Sequence, residues 1–453
     1  MSLTKVTFSM IDGAAVNISD FGADPTGATN SYSAIVAAIA SLPATGGTIY
    51  YDGRFLVNTT IVVDKAIKIL ALGGRGDGVN TFPTSYFIKG STLSGPCFQL
   101  SEAGIVMEGG GVLGSAALIS DTSPFTARVS ARTAASSGDG IYVKGSRITL
   151  RDVTVAWVNG IGIKVGQNAT EDGNTNAWYL DRCIANYNAD HGISISDDGV
   201  KSDGLNANGG TCVAPIVTAN TNAGVFIDYA FGNTFTGVVA QSNNYGAYLT
   251  ANSLNNTLYG GDFEGNTTQQ VVFATNSTRN SLVFPASNND PNITTDLFGL
   301  TNDGTDCAVF TYPRIIPWTP VLTRSNGGAP TYEGQLGWLT IEGNKVTAGF
   351  RIDLTSVAGY TTPSTSILSI TGIPSTYAPR VDSTIQGLIG SVMWEDSVTA
   401  FGGLVISMQY NTGTVIKLSR VNGSTGYNNT SNVFANNLDN TFSVWGTITY
   451  MME

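Results

Sequence analysis

The 453-residue chain is poor in charge, in histidine and in cysteine. Only 12% of its residues are charged, and Lys, Glu and Leu are scarce, so the strong helix formers are missing and a mainly helical protein is excluded. The net charge is −11 and no Lys/Arg cluster occurs, which removes the electrostatic footprint that nucleic acid or an anionic membrane surface demands. One histidine, His191, and four distant cysteines without a CxxC pair (Cys97, Cys183, Cys212, Cys307) offer no ligand set for a metal, and no cofactor is expected. The cysteines read as small core residues. No run of about 18 apolar residues exists, and MSLTKVTFSMIDGAAV lacks the pattern of a secretory signal, so no membrane insertion is expected.

What the chain has in quantity is turn formers. Gly numbers 54, and Asn and Thr are abundant, which points to an all-β fold with many tight turns. The length fits either two or three domains or one elongated solenoid. One helix is expected near the start. Thr29 to Ser31 supply capping side chains, Ile35, Ala38, Ile39 and Leu42 follow helical spacing, and Gly46-Gly47 lies just beyond its end. Ahead of a solenoid, such a helix suits a lid on the open first coil.

Around this helix, from Asp20 to Val57, stand an Asp-Phe-Gly-Ala-Asp-Pro-Thr-Gly stretch, then Gly-Gly-Thr and an apolar-aromatic strand. The segment resembles the opening module of pectate-lyase-like β-helix proteins, including many phage tailspikes. It departs at Asp52-Gly53-Arg54, where that family has a Pro-Ala-Gly turn. The resemblance implies a right-handed parallel β-helix.

Between about residues 95 and 290 a loose repeat of Gly, apolar, any, apolar recurs, at Gly140-Ile-Tyr-Val, Gly162-Ile-Lys-Val, Gly192-Ile-Ser-Ile, Gly224-Val-Phe-Ile and Gly246-Ala-Tyr-Leu. The spacings are 22, 30, 32 and 22 residues, so the coils opened by Gly162 and Gly192 bulge, at Gln167 to Asn176 and Val200 to Pro215. A second strand follows in each coil, at Arg147-Ile-Thr-Leu, Trp178-Tyr-Leu, Asn233-Thr-Phe, Asn256-Thr-Leu-Tyr and Asn280-Ser-Leu-Val. Turns containing Asn186, Asn188, Asn243, Asn244 and Asn266 are expected to exploit the tolerance of Asn for left-handed backbone. From Trp318 the pattern changes to longer alternating strands. Trp318-Thr-Pro, Gly327-Gly328, Thr331-Tyr332, Gln335, Gly337, Ile341 to Val346 and Gly372-Ile-Pro resemble a C-terminal β-sandwich of phage tail spikes and fibres. The expected division is a connector (1–17), opening coil and cap (18–94), parallel β-helix (95–290), linker (291–317) and antiparallel β-sandwich (318–453).

Equivalent positions of successive coils sit about 4.8 Å apart, so distant carboxylates can align. Asp197 and Asp198 lie just after the strand opened by Gly192, Asp228 lies at a similar offset one coil on, and Glu171 with Asp172 lies in the preceding bulge. Paired carboxylates suit glycoside hydrolysis, one giving a proton and one attacking or activating water, and these residues are the expected catalytic set. As a bland alternative, Asp-Asp-Gly is also a common turn. Asp262 and Glu264 form a second pair, and His191 with Lys164 or Lys201 would suit a lyase. Trp178, Tyr229, Tyr187 and Lys201 are the expected substrate contacts, with Trp157 and Tyr245 as further aromatics, although Trp157 and Trp178 equally suit packing between coils.

The resemblance implies a homotrimeric phage tailspike, held to a virion tail or baseplate protein through its N-terminus and directed at bacterial surface polysaccharide. Depolymerisation by hydrolysis is the leading expectation. A polysaccharide lyase and a spike that binds glycan without cutting it are the alternatives.

Overall fold

The computed structural model describes residues 15–74, 76–78, 80–114, 125–167, 175–196, 207–283, 300–302, 307–310, 314–324, 330–342, 345–356, 368–374, 388–395, 405–408, 416–417, 419–421, 430–432 and 442–451. Two compact units, Met1–Val309 and Phe310–Glu453, divide the chain.

The first unit is a parallel β-helix. Three sheets of eleven, nine and nine strands run along it, each assembled from strands that are distant in sequence. One coil visits the three faces in turn: Thr149–Arg151 on the first, Thr154–Ala156 on the second and Ile163–Val165 on the third, before Tyr179–Asp181 returns to the first. The expected coil openings stack in register on the third face, where Ile141, Ile163, Ile193, Val225, Ala247 and Val271 oppose one another. The expected second strands stack likewise on the first face, with Leu150, Leu180, Cys212, Phe235, Leu258 and Leu282 in one column. These inward residues are buried in one continuous core, which includes Cys97, Cys183 and Cys212 as free thiols. The second face was not visible in the sequence. Its short strands carry a single inward side chain, such as Val112, Val155, Ala240 or Phe263, and no recurring residue marks their start as Asn233, Asn256 and Asn280 mark the equally short strands of the first face.

The coil-opening glycines answer to space, not to backbone handedness. A Cβ on Gly162 would stand 2.6 Å from both the Asn188 Nδ2 and the Gly192 carbonyl oxygen, and one on Gly192 would stand 2.7 Å from Asn220 Nδ2. The asparagines that crowd them form a ladder. Asn188, Asn220 and Asn243 each donate both backbone N–H and side-chain Nδ2 to the Oδ1 of the next member, ending on Asn266, at 2.9–3.0 Å. A second ladder runs through Asn233, Asn256 and Asn280 at the start of the first face. This corrects the expected left-handed Asn turns. The left-handed positions belong to the residues just before the first ladder, Trp157, Tyr187, Ala219 and Ser242, because the amides themselves are turned into the tube.

Two further differences concern the ends. The stack does not stop at residue 290: Leu300–Asn302 extends the third face and Ala308–Phe310 the first, so part of the expected linker is strand. The N-terminal helix spans Tyr32–Ser41 and buries Ala34, Ile35, Ala38 and Ile39 in the tube core. Its N-cap Ser31 makes no capping bond, since its hydroxyl accepts the Asp24 N–H, whereas Lys65 Nζ satisfies the last carbonyls at Ile39, Ala40 and Leu42. The second unit is antiparallel: a six-stranded sheet around Thr331–Glu342 and Lys345–Ser356, and a three-stranded sheet with Val321–Arg324 and Leu368–Thr371. Side chains of both, such as Phe350, Ile352, Leu322 and Ile370, share one core.

Ladder amides buried without partners cost far more than surface amides. Asn243→Ala, which strands the Asn220 donors and the Val217 carbonyl, is expected to cost about 2–4 kcal/mol, against about 0.5 or less for exposed Asn252→Ala, in denaturant unfolding.

Candidate functional site

Outward side chains of stacked coils form columns. On the third face the middle column runs Tyr142, Lys164, Ser194, Phe226, Tyr248 and Val272. Lys164 Nζ lies 5.3 Å over the Tyr142 ring. Phe226 and Tyr248 stack with centroids 6.1 Å apart, and Tyr245 meets Tyr248 edge-on at 5.0 Å. His191, on the turn that leads into this face, lies flat on Phe226 at 4.1 Å. An aromatic floor thus spans three successive coils.

Polar groups border this floor where the chain enters the face. Asp139 Oδ1 accepts the Ile161 N–H at 2.9 Å. Asp190 Oδ1 accepts from Asn222 Nδ2 at 2.6 Å and lies 3.4 Å from His191 Nε2. His191 Nδ1 accepts the Ala223 N–H at 3.1 Å, which fixes the tautomer: the neutral ring carries its proton on Nε2, toward Asp190. The two carboxylates live in different surroundings. Burial raises the Asp139 carboxyl above its ordinary range and the Asp190 charge adds to this, while the Ile161 amide, Lys164 and Lys89 oppose it. Asp190 keeps 38% of its side chain open to water. His191 is pushed below its ordinary value by burial, with Asp190 opposing. Among the described residues no three His, Cys, Asp or Glu side chains converge as metal ligands would.

The opposite border, where the chain leaves the face, carries Asp228. It pairs in register with Ser196, and its Oδ1 accepts from the Thr250 hydroxyl and, at 3.5 Å, from Asn252 Nδ2. Tyr229 follows in a left-handed conformation (φ 46°), half-buried. The two bulges leave from this border. Glu171, Asp172, Asp197, Asp198 and Lys201 lie outside the described residues, so Asp228 is the one expected catalytic carboxylate that can be placed.

One expected sugar contact is corrected. Trp178 is 1% exposed and packs inside the tube wall near Phe235, so its indole presents no face to a sugar. Tyr187 is half-buried: one side of its ring stacks on buried Trp157 at 4.6 Å, and its carbonyl accepts from Arg132 of the helix Phe125–Ala134. Asp262 and Glu264 stand on the second face, where the Gln241 amide donates to both. The Asp139/Asp190 pair was overlooked in the sequence, although each acid stands one or two residues before a coil-opening glycine, in Asp139-Gly140 and Asp190-His191-Gly192.

Residues 77–263 match the family model of the right-handed β-helix region. No curated protein sequence matches the chain. Among solved structures it is similar to the Dettilon tailspike protein (TM-score 0.39, 12% identity, 96% of this chain and 94% of that one). It is similar to the enzymatically active domain of bacteriophage CBA120 tailspike protein 2 (0.46, 12%, 96% and 79%). A third similar structure is the tailspike gp49 of Acinetobacter baumannii bacteriophage Fri1, a capsular polysaccharide depolymerase (0.37, 9%, 98% and 87%). At these identities the likeness is one of fold.

His191 gives the face a pH signature. Because its folded value lies below the unfolded one near 6.5, the unfolded state takes the proton first as pH falls, and stability present above that value is lost below it. The melting temperature of the wild type should therefore drop further between about pH 7.5 and pH 5 than that of His191→Gln; equal drops would exclude a histidine held neutral.

Proposed function

We propose that the chain is a tailspike-type depolymerase that binds bacterial surface polysaccharide (capsule, exopolysaccharide or O-antigen) along the third face and hydrolyses it there. The observation that carries this reading is one face holding both an aromatic floor and two carboxylates in contrasting environments. Pyranose rings offer an apolar face to His191, Phe226 and Tyr248, and their hydroxyls meet the polar borders.

Asp139 takes the role of general acid. Its Oδ1 is occupied by the Ile161 amide, which leaves Oδ2 to carry the proton delivered to the glycosidic oxygen, and burial shifts the carboxyl toward its protonated form. Asp190, solvated and oriented by Asn222 and His191, is the anionic partner that stabilises the developing positive charge at the anomeric carbon and either attacks it or activates water. A second reading keeps Asp197 and Asp198, with Asp228 and Glu171, as the catalytic carboxylates. It is favoured by the register of Ser196 with Asp228, which brings that border onto the same face. Elimination by His191 and Lys164 would leave an unsaturated uronate, and binding without cleavage would leave the chain length unchanged.

The expected context is a homotrimer on a virion tail, anchored through the N-terminus, with the C-terminal sheets assisting assembly or glycan contact. Support comes from the resemblance of Asp20 to Val57 and of the segment from Trp318 to phage spike modules.

With polysaccharide from a susceptible host, hydrolysis is expected to shorten the chains and create reducing ends without new ultraviolet absorbance. Asp139→Asn and Asp190→Asn should each slow cleavage by about 10²–10⁴-fold in protein that folds as the wild type does, while Asp197→Asn and Asp198→Asn act less. The reverse ranking would move the centre to the other border. Phe226→Ala should raise KM several-fold with kcat little changed; an unaltered KM would remove the floor from the binding site.

A further inference from the structure

Lys89 is an anomaly in the first unit. It is 2% exposed at the end of the strand Tyr86–Lys89, and its Nζ makes one hydrogen bond among the described residues, to the Leu93 carbonyl. A buried ammonium with one carbonyl partner is costly unless a counter-charge stands near it. Two ionisable groups face it, Cys97 and Asp139. Burial pushes the Cys97 thiol up to about 12, so it carries no charge near neutrality. That leaves the Asp139 carboxyl, which compensates the ammonium once it gives up its proton, so Lys89 favours the release that burial opposes.

The backbone ties Lys89 to Asp139 as well. The turn that Lys89 holds, Gly90 to Cys97, lies directly against the Asp139 segment: the Cys97 N–H donates to the Asp139 carbonyl at 3.1 Å, and a Cβ on Gly138 would stand 2.6 Å from the carbonyl oxygens of Ser94 and Gly95. Lys89 therefore acts on Asp139 from beneath in two ways, through its charge and through the floor it pins.

We propose that Lys89 is a positioning residue of the third-face site, a buried cation that sets where the Asp139 carboxyl stands and when it releases its proton. The proposal rests on the assignment of Asp139 as the acid. Facing Asp139 are Lys89, Lys164, Asp190 and the Ile161 amide; facing Lys89 are Cys97 and Asp139. Removing an opposite charge raises a carboxyl, so without Lys89 the proton on Asp139 should persist to higher pH.

Two variants separate charge from support. Lys89→Gln keeps a donor for the Leu93 carbonyl and drops the charge; Lys89→Met drops both. The Asp139 carboxyl is titrated by ¹³C NMR in Asp-labelled protein, assigned with Asp139→Asn, and the pH dependence of kcat/KM for the polysaccharide is measured in parallel. Expected for Lys89→Gln is a rise of about one pH unit in the Asp139 midpoint and the same rise in the alkaline limb of the rate profile. Lys89→Met should add a fall in kcat at every pH. An unmoved midpoint in a folded Lys89→Gln protein overturns the proposal. A midpoint that rises while the alkaline limb stays in place removes Asp139 as the acid, and with it the positioning role. Should Lys89→Met not fold, the Lys89→Gln titration decides alone.

Discussion

Stacking each coil on the last, in register and one strand spacing apart, is the constraint on which the structure depends. A parallel strand satisfies its backbone groups only through neighbours on both sides, so every coil must repeat the inward, outward and turn positions of the coil before it. The asparagine ladders extend this rule to side chains: beyond the first member each Oδ1 accepts two donors from the coil before, and each Nδ2 also reaches a tube carbonyl, as Asn220 does to Ala185. Those amides crowd the glycines beside them. The Gly, apolar, any, apolar repeat is thus a packing requirement of the ladder, and its glycines hold no left-handed conformation.

That constraint explains what could be read from the sequence and what could not. The coil openings were legible because Gly and two inward residues recur at fixed offsets in Ile193-Ser194-Ile195 and its equivalents. The second face was not, because strands such as Thr154–Ala156 hold one inward side chain each and lack the Asn that precedes first-face strands at Thr234, Thr257 and Ser281. Cys97, Cys183 and Cys212 are core as expected, while Cys307 packs against the core only partly buried. Asn188 and Asn243 were seen as turn residues, but their chemistry was misjudged, since nothing in one sequence shows that they align across coils. Trp178 was misjudged for a related reason: an aromatic just before a strand can turn either way, and Gly210 leaves room for the indole inside.

The carboxylates divide along the same line. Counting forward from the glycines leads to Asp228 and the bulges, and that border does carry Asp228 beside Thr250. Asp139 and Asp190 precede their glycines by different offsets and belong to coils two apart, so no column count aligns them. They are related by the bend of the Asp139 side chain onto the Ile161 amide of the intervening coil and by burial around Gly138. Such a relation is tertiary, and composition or spacing carries no trace of it.

The polar border of the third face is built on the stacked coils themselves. Among the described residues, Asp139, Asp190 and His191 are held by backbone amides at Ile161 and Ala223 and by Asn222, on coils whose register the ladders fix. Chain inserted ahead of Thr175 or of Ala207 can vary in length without disturbing a strand, because the chain rejoins the stack there: Thr175–Asn176 pairs in register with Ala207–Asn208 of the next coil. The uneven coil lengths of 30 and 32 residues are therefore permitted where the regular length is 22. Regular coils thus hold the polar border of the third face in fixed register, whatever the length of the chain between them.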